Sequence, residues 1–236
     1  MYIIADIFSS EAVSEALDIL KNDIPKAAWE TFYVTALASL FSLILGLPLG
    51  VLLVTGSKGG IRPLPAPIMR ILDVIINILR SIPFLILMIM VFPLTRLIAG
   101  SVVGTVPSIV PLVIAAFPFV ARLVESSLRE VDPEIIETAQ SMGASPWKIV
   151  TRVMIPECMP SLISNFTIAV TTILSYTAMS GIIGGGGLGK IAINYGYYRY
   201  KHLVMIFAVI ILVLMVQIIQ TAGTFAAKKI DKRTRH

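Results

Sequence analysis

Apolar residues along the chain gather into long runs with few charges, separated by short polar intervals. About 20 predominantly apolar residues suffice to cross a bilayer as a helix, and five runs reach that length: about 30–55, 68–98, 106–129, 158–183 and 202–227. Ahead of them, Ile3, Ile4, Ile7, Phe8, Val13, Leu17 and Leu20 recur at near-helical spacing. This spacing predicts a short amphipathic helix within residues 1–26, lying in the membrane interface. Asp6, Glu11, Glu15, Asp18 and Asp23 in the same stretch argue against a signal peptide, which needs a basic start and an unbroken apolar core. Gly46, Pro48 and Gly50 in the first run, and Pro83 and Pro93 in the second, free backbone groups that lipid cannot satisfy, so neighbouring helices are expected to cover them. The second run would measure near 45 Å as a straight helix at about 1.5 Å per residue, so it is expected to be tilted, kinked or broken.

Composition points the same way. The 236 residues are 56% hydrophobic and 14% charged, whereas soluble domains carry about 25% charged residues. The expected fold class is therefore an all-α integral membrane protein with five transmembrane helices. A transmembrane domain over residues 27–227 is expected, which leaves no room for a separate soluble catalytic domain. The net charge of +5 would suggest nucleic acid in a soluble protein, but in a membrane protein basic residues first set topology. With the N-terminus outside, the cytoplasmic intervals hold Lys58, Arg62, Arg70, Arg122, Arg129, Lys148 and Arg152, and the basic tail 228–236 adds Lys228, Lys229, Lys232, Arg233 and Arg235. The external intervals hold Lys21, Lys26, Arg96, Lys190, Arg199 and Lys201. This asymmetry of about two to one follows the positive-inside rule, and places the interval 130–157 and the C-terminal tail in the cytoplasm. Cys158 is the single cysteine, which excludes an intramolecular disulfide or a Cys-rich metal site.

The interval 130–157 is the longest polar break between apolar runs. Asp132 followed by Pro133 is a helix-start signal: the Asp side chain can accept backbone N–H groups, and proline gives up a donor that would be orphaned anyway. Gly143 can take the left-handed conformation that ends such a helix. Ser145 and Pro146 repeat the start signal, so two short helices joined by a sharp elbow are expected, the second leading through Trp147 and Val150 to Pro156. Ala139 and Gly143, four apart, could form a notch where a partner approaches the backbone closely. A solvated connector between two spans is the alternative.

The spacing Glu137-Thr138-Ala139, three residues, Gly143, nine residues, Val153-Met154-Ile155-Pro156 resembles the E-A-A-x3-G-x9-I-x-L-P loop of ABC importer permeases. Thr138 stands for the Ala that follows the Glu, Val153 for the Ile and Ile155 for the Leu. RSIPF at 80–84, YTAMSGIIGGGGLG at 176–189 and NYGYYRY at 194–200 narrow the resemblance to the methionine-type, five-helix importer permeases. That resemblance implies a type I importer fold in the bacterial cytoplasmic membrane. The loop would be a coupling helix docking on an ATPase through Glu137, Thr138, Ala139, Gly143 and Pro156. The implied partners are a second copy of the chain, two cytoplasmic ATPase subunits and an extracytoplasmic substrate-binding protein, with ATP and Mg on the ATPase. No nucleic acid, and no cofactor in this chain, is expected.

Other polar groups invite chemistry. Gly184 to Lys190 fits G-x-x-x-x-G-K, and Gly184, Gly186 and Gly189 fit G-x-G-x-x-G, but a phosphate loop needs a preceding strand and a Ser or Thr after the Lys, where Ile191 stands. These glycines are expected to allow a tight bend or close helix approach. Asp73, Asn77 and Arg80 share one helical face, and intramembrane charges usually face the bundle interior or a water-filled cavity. Arg80 is read either as a pathway or gating residue or as a lock on carbonyls freed near Pro83. In the fourth run, Asn165, Ala169, Thr172, Tyr176 and Met179 form one stripe, and Thr167, Thr171, Ser175 and Ala178 another. The first is expected to line a pathway and the second to pack, with packing of both as the alternative. Arg122, Glu125 and Arg129 share a face expected to be a solvated helix end. No nucleophile set, catalytic residue or metal cluster is legible, so catalysis within the chain is not expected. An ion-coupled secondary transporter of a small polar solute is the rival function, although such carriers usually show internal repeats that are not evident here.

Overall fold

The computed structural model describes residues 10–231, and the described residues contain helices and no strands. Ile3, Ile4, Ile7 and Phe8 of the expected interfacial helix, and Lys232, Arg233 and Arg235 of the tail, lie outside them. The helices are α1 (Ser10–Asn22), α2 (Ile24–Thr55), α3 (Ala66–Ser81), α4 (Phe84–Met90), α5 (Phe92–Ala99), α6 (Ile109–Leu128), α7 (Pro133–Ser141), α8 (Pro146–Ile149), α9 (Ile155–Glu157), α10 (Met159–Ser180), α11 (Gly187–Ile191) and α12 (His202–Ile230). Among the described residues, α2, α6, α10 with its 3-10 continuation to Ile183, and α12 are long and apolar enough to cross a membrane. The α3–α4 pair makes a fifth crossing if taken as one broken span.

The expected runs are recovered with shifted ends. The first begins at Ile24 rather than near residue 30, directly after α1. The second is broken, as its length and prolines suggested. Ile82 leaves α3 with extended backbone (φ −77°, ψ 126°), the conformation that a following proline favours, and a second interruption at Val91 precedes Pro93 in α5.

By contact the chain forms two compact units, one of residues 1–39, 84–113 and 170–218, the other of residues 40–83, 114–169 and 219–236. In the first, Ala16 and Ile19 of α1 and Ile24 and Ala27 of α2 are buried with Leu188 and Ile191 of α11 and Val204 and Ala208 of α12. The buried face of α1 therefore packs on protein, while Val13 and Leu17 stay exposed. In the second, Val120, Val124 and Leu128 of α6 pack with Val131, Ala139, Ile149, Val150, Met154, Cys158 and Ala169. Cys158 is a small, free core residue there. Gly46 and Gly50 of α2 lie against α6: a Cβ on Gly50 would come within 2.6 Å of the Ala121 carbonyl oxygen. Flanking Pro48, these two positions let α6 cover the helix where the proline interrupts its ladder.

Candidate functional site: the folded loop 130–157

Asp132 and Gly143 do what the sequence predicted. The Asp132 side chain accepts the Glu134 N–H at 2.9 Å and opens α7. Gly143 ends the helix with φ +77°, a conformation that costs other L-residues about 1–2 kcal/mol. The turn closes with Gly143 N–H donating to the Gln140 carbonyl (2.9 Å) and Ala144 N–H to the Ala139 carbonyl (3.1 Å). This pair of bonds satisfies carbonyls that the helix end leaves free. Thr138 donates its hydroxyl to the Glu134 carbonyl at 2.7 Å, so the Thr that stands for Ala is satisfied within its own helix.

Two expectations change. Ser145 has the extended backbone of an N-cap but makes no side-chain capping bond, and Pro146 alone marks the start of α8. Ala139 is buried (5% exposed) in the core shared by the loop and α6, so the notch inferred from Ala139 and Gly143 does not open outward. The outward face consists instead of exposed Met142 (77%) and Trp147 (74%), beside Gly143, where a Cβ would meet nothing within 4 Å. A methionine and a tryptophan flanking the glycine elbow in an otherwise polar interval were the signal available in the sequence. Glu137 is exposed and joins Lys58, Gly59, Arg129 and Gln140 among the residues around a cavity of about 470 Å³. Between α8 and α9 the backbone widens into a π-helical turn, Val150–Met154, in which Ile155 N–H reaches the Val150 carbonyl. That widening accommodates Pro156, which has no N–H to continue the α-helical ladder.

The candidate pathway residues are placed in different ways. Asn77 lies exposed on α3, and its side-chain oxygen accepts from Arg122 at 3.2 Å. Arg80 is exposed and makes no hydrogen bond or ion pair among the described residues, so it does not lock carbonyls near Pro83. Asn165 donates to the Ser127 hydroxyl (2.8 Å) and the Leu123 carbonyl (3.3 Å), tying α10 to α6. Thr172 is half-buried. Tyr176 stacks on Phe84 with ring centroids 4.5 Å apart and planes 2° from parallel. Met179 is partly exposed. In the other stripe, Thr167 packs against Gly223 of α12.

Arg122, Glu125 and Arg129 are not simply a solvated helix end. Arg122 reaches out of α6 to Asp73 of α3 at 2.8 Å while also holding Glu125 at 2.7 Å, and Glu125 pairs with Arg129 at 2.8 Å. Sequence reading found the faces but could not join two helices whose charges lie 49 residues apart.

The glycine run is a packing device. Gly187 N–H donates to Glu30 Oε2 and Leu188 N–H to Thr31 Oγ1, both at 2.9 Å, so α2 already holds the backbone groups that open α11. Leu188 is fully buried. Thr31→Val leaves its N–H unsatisfied and is expected to cost about 1–3 kcal/mol. Thermal unfolding of the purified protein checks this, with Thr31→Ser expected to stay near native.

Residues 46–236 match the family model described as binding-protein-dependent transport system inner membrane component. A probable D-methionine transport system permease protein MetI from Vibrio cholerae is 46% identical over 207 residues, covering 88% of this chain and 92% of that protein. Its Pasteurella multocida counterpart is 44% identical over 204 residues, covering 86% of this chain and 94% of that protein. A solved structure of the MetNI methionine ABC transporter in an inward-facing conformation superposes with TM-score 0.86 at 40% identity, covering 88% of this chain and 95% of that one. An amino acid ABC transporter superposes with TM-score 0.72 at 17% identity, covering 94% of this chain and 98% of that one, and shares the fold. These matches set aside the ion-coupled carrier and mark a transport subunit, not an enzyme. The chain belongs to the binding-protein-dependent transport system inner membrane components, as a multi-pass ABC importer permease.

Proposed function

We propose that this permease moves methionine or a closely related amino acid across the bacterial cytoplasmic membrane by alternating access, driven by ATP hydrolysis in a partner subunit. The observation that carries this reading is the folded loop 130–157. It presents Met142 and Trp147 outward and bears the signature positions Glu137, Thr138, Ala139, Gly143 and Pro156. It does so in a chain whose fold matches that of a methionine ABC transporter.

The working assembly is two copies of this chain, two cytoplasmic ATPase subunits that bind ATP and Mg, and an extracytoplasmic binding protein. The N-terminus lies outside, and the loop and tail lie in the cytoplasm, an orientation supported by the distribution of basic residues. Closure of the ATPase pushes on the exposed tip of the loop. Because Ala139, Ile149, Val150 and Met154 share one core with Val124 and Leu128 of α6, the push moves loop and helix end together rather than flexing a linker. Asn77, Arg80, Asn165, Thr172, Tyr176 and Met179 supply pathway or gate positions, and substrate selection falls mainly to the binding protein.

The test is reconstitution of the permease in liposomes with a partner ATPase and a binding protein. Uptake of methionine is expected to require ATP and to survive collapse of ion gradients. Uptake that persists without ATP and disappears with the gradient would refute the reading. A panel of amino acids offered to the binding protein then fixes the substrate.

A further inference from the structure

We infer that Arg122 is a positioning residue: its guanidinium fork ties α3 to the body formed by α6 and the loop 130–157, so that α3 follows the loop when the loop is displaced. Two features of the packing make this tie matter. The loop and the end of α6 share a buried core, from Val124 and Leu128 through Val131 to Ala139, Ile149 and Met154. By contrast, Ile76 is the buried residue of α3, and Ile71, Val74, Ile75 and Ile78 are exposed. Apolar packing within the chain therefore holds the loop to α6 firmly and α3 weakly.

The polar contacts supply what the apolar ones do not. Arg122 donates from Nη2 to Asp73 Oδ1 (2.8 Å) and Asn77 Oδ1 (3.2 Å), one helical turn apart on α3. Its other arm, Nη1, donates to Glu125 Oε2 at 2.7 Å. Glu125 Oε1 in turn accepts from Arg129 Nε (3.1 Å) and Nη2 (2.8 Å) at the entry to the loop. Two guanidinium groups and two carboxylates leave the cluster formally neutral, with Glu125 its most buried member, 12% exposed in its side chain. The fixed planar fork of arginine sets both the distance and the rotation of α3 relative to α6. A lysine, a single point charge, could satisfy one carboxylate but not define that geometry. Charge-assisted bonds of this kind are also the stronger class of hydrogen bond.

The positional half of this inference stands on geometry alone, and its functional half rests on the transport reading. The experiment therefore has two readouts on the assembled transporter. Amide hydrogen exchange is compared between the native protein, Asp73→Asn and Asp73→Glu. The expected result is exchange in α3 about tenfold faster in Asp73→Asn, with α6 and α7 unchanged and Asp73→Glu close to native. Unchanged exchange in α3 overturns the inference. In liposomes, the ATP hydrolysed per substrate imported is expected to rise about tenfold in Asp73→Asn while hydrolysis itself stays within about twofold. A native ratio, or hydrolysis and uptake falling together, overturns the transmission role. If Asp73→Asn does not assemble, Arg122→Lys takes its place, with a smaller rise in α3 exchange expected and no rise overturning the tie. A native transporter without ATP-dependent uptake would defeat the transport reading and leave the exchange result standing.

Discussion

Gly143→Trp is expected to lower ATP-driven uptake about 30-fold or more while leaving the chain folded and inserted, the size of effect that blocking a central interface position produces. The geometry separates the two consequences. A Cβ at Gly143 meets nothing within 4 Å, so the indole has no neighbour within the chain to displace. The substitution does force a non-glycine residue to φ +77°, a local cost of about 1–2 kcal/mol. The remaining turn offsets this through the Ala144 to Ala139 bond and the buried Ala139. The indole would instead project into the space beside Met142 and Trp147 that the ATPase is proposed to occupy. Uptake and ATP hydrolysis measured together check this, with insertion followed separately. Normal uptake in Gly143→Trp would end the docking role of this elbow.

Gly189→Val is expected to destabilise the chain by about 3 kcal/mol or more, a large share of the roughly 5–15 kcal/mol that keeps a domain folded. A Cβ at Gly189 would collide with the backbone of Ala178, its Cα, carbonyl carbon and oxygen. Backbone inside α10 cannot step aside as a side-chain tip can. Lys190→Ala, one position on and exposed, is expected to change stability by less than about 0.5 kcal/mol. Thermal unfolding of the two variants gives the contrast. A phosphate loop would predict the reverse order of importance for ligand binding, since there the lysine carries the chemistry.

These two glycines show how much could be read before any fold was known. Gly143 was legible because Asp132, Pro133 and Gly143 act on groups within a few residues of themselves. Gly189 was legible as part of a run expected to allow a tight bend or close helix approach, because the nucleotide motif lacked its strand and its Ser or Thr. That it presses on Ala178 depends on the folding back of α11 onto α10. Ser145 has the residue type and the extended backbone of a cap but makes no side-chain capping bond. Ala139 was misassigned to an outward notch. Helical spacing would place residues 139 and 143 on a common side, but the helix stops at Ser141 and the left-handed turn leaves Gly143 facing open space while Ala139 packs with Leu128 and Met154. Arg80 and Arg122 could not be told apart by their place in the sequence. Both lie in apolar runs, and only the approach of α3 to α6 gives Arg122 two helices to hold while leaving Arg80 exposed.

The sequence by itself determined the apolar spans, the break in the second, the capped helix α7 with its glycine stop, and the absence of a workable nucleotide motif. Each of these follows from interactions a few residues apart or from the length of an apolar run. The tertiary structure alone decided which face of the loop is buried, what fills the space beside the glycines, and which charge pairs with which. Those outcomes depend on distances between segments tens of residues apart, which helical periodicity leaves free and close packing fixes.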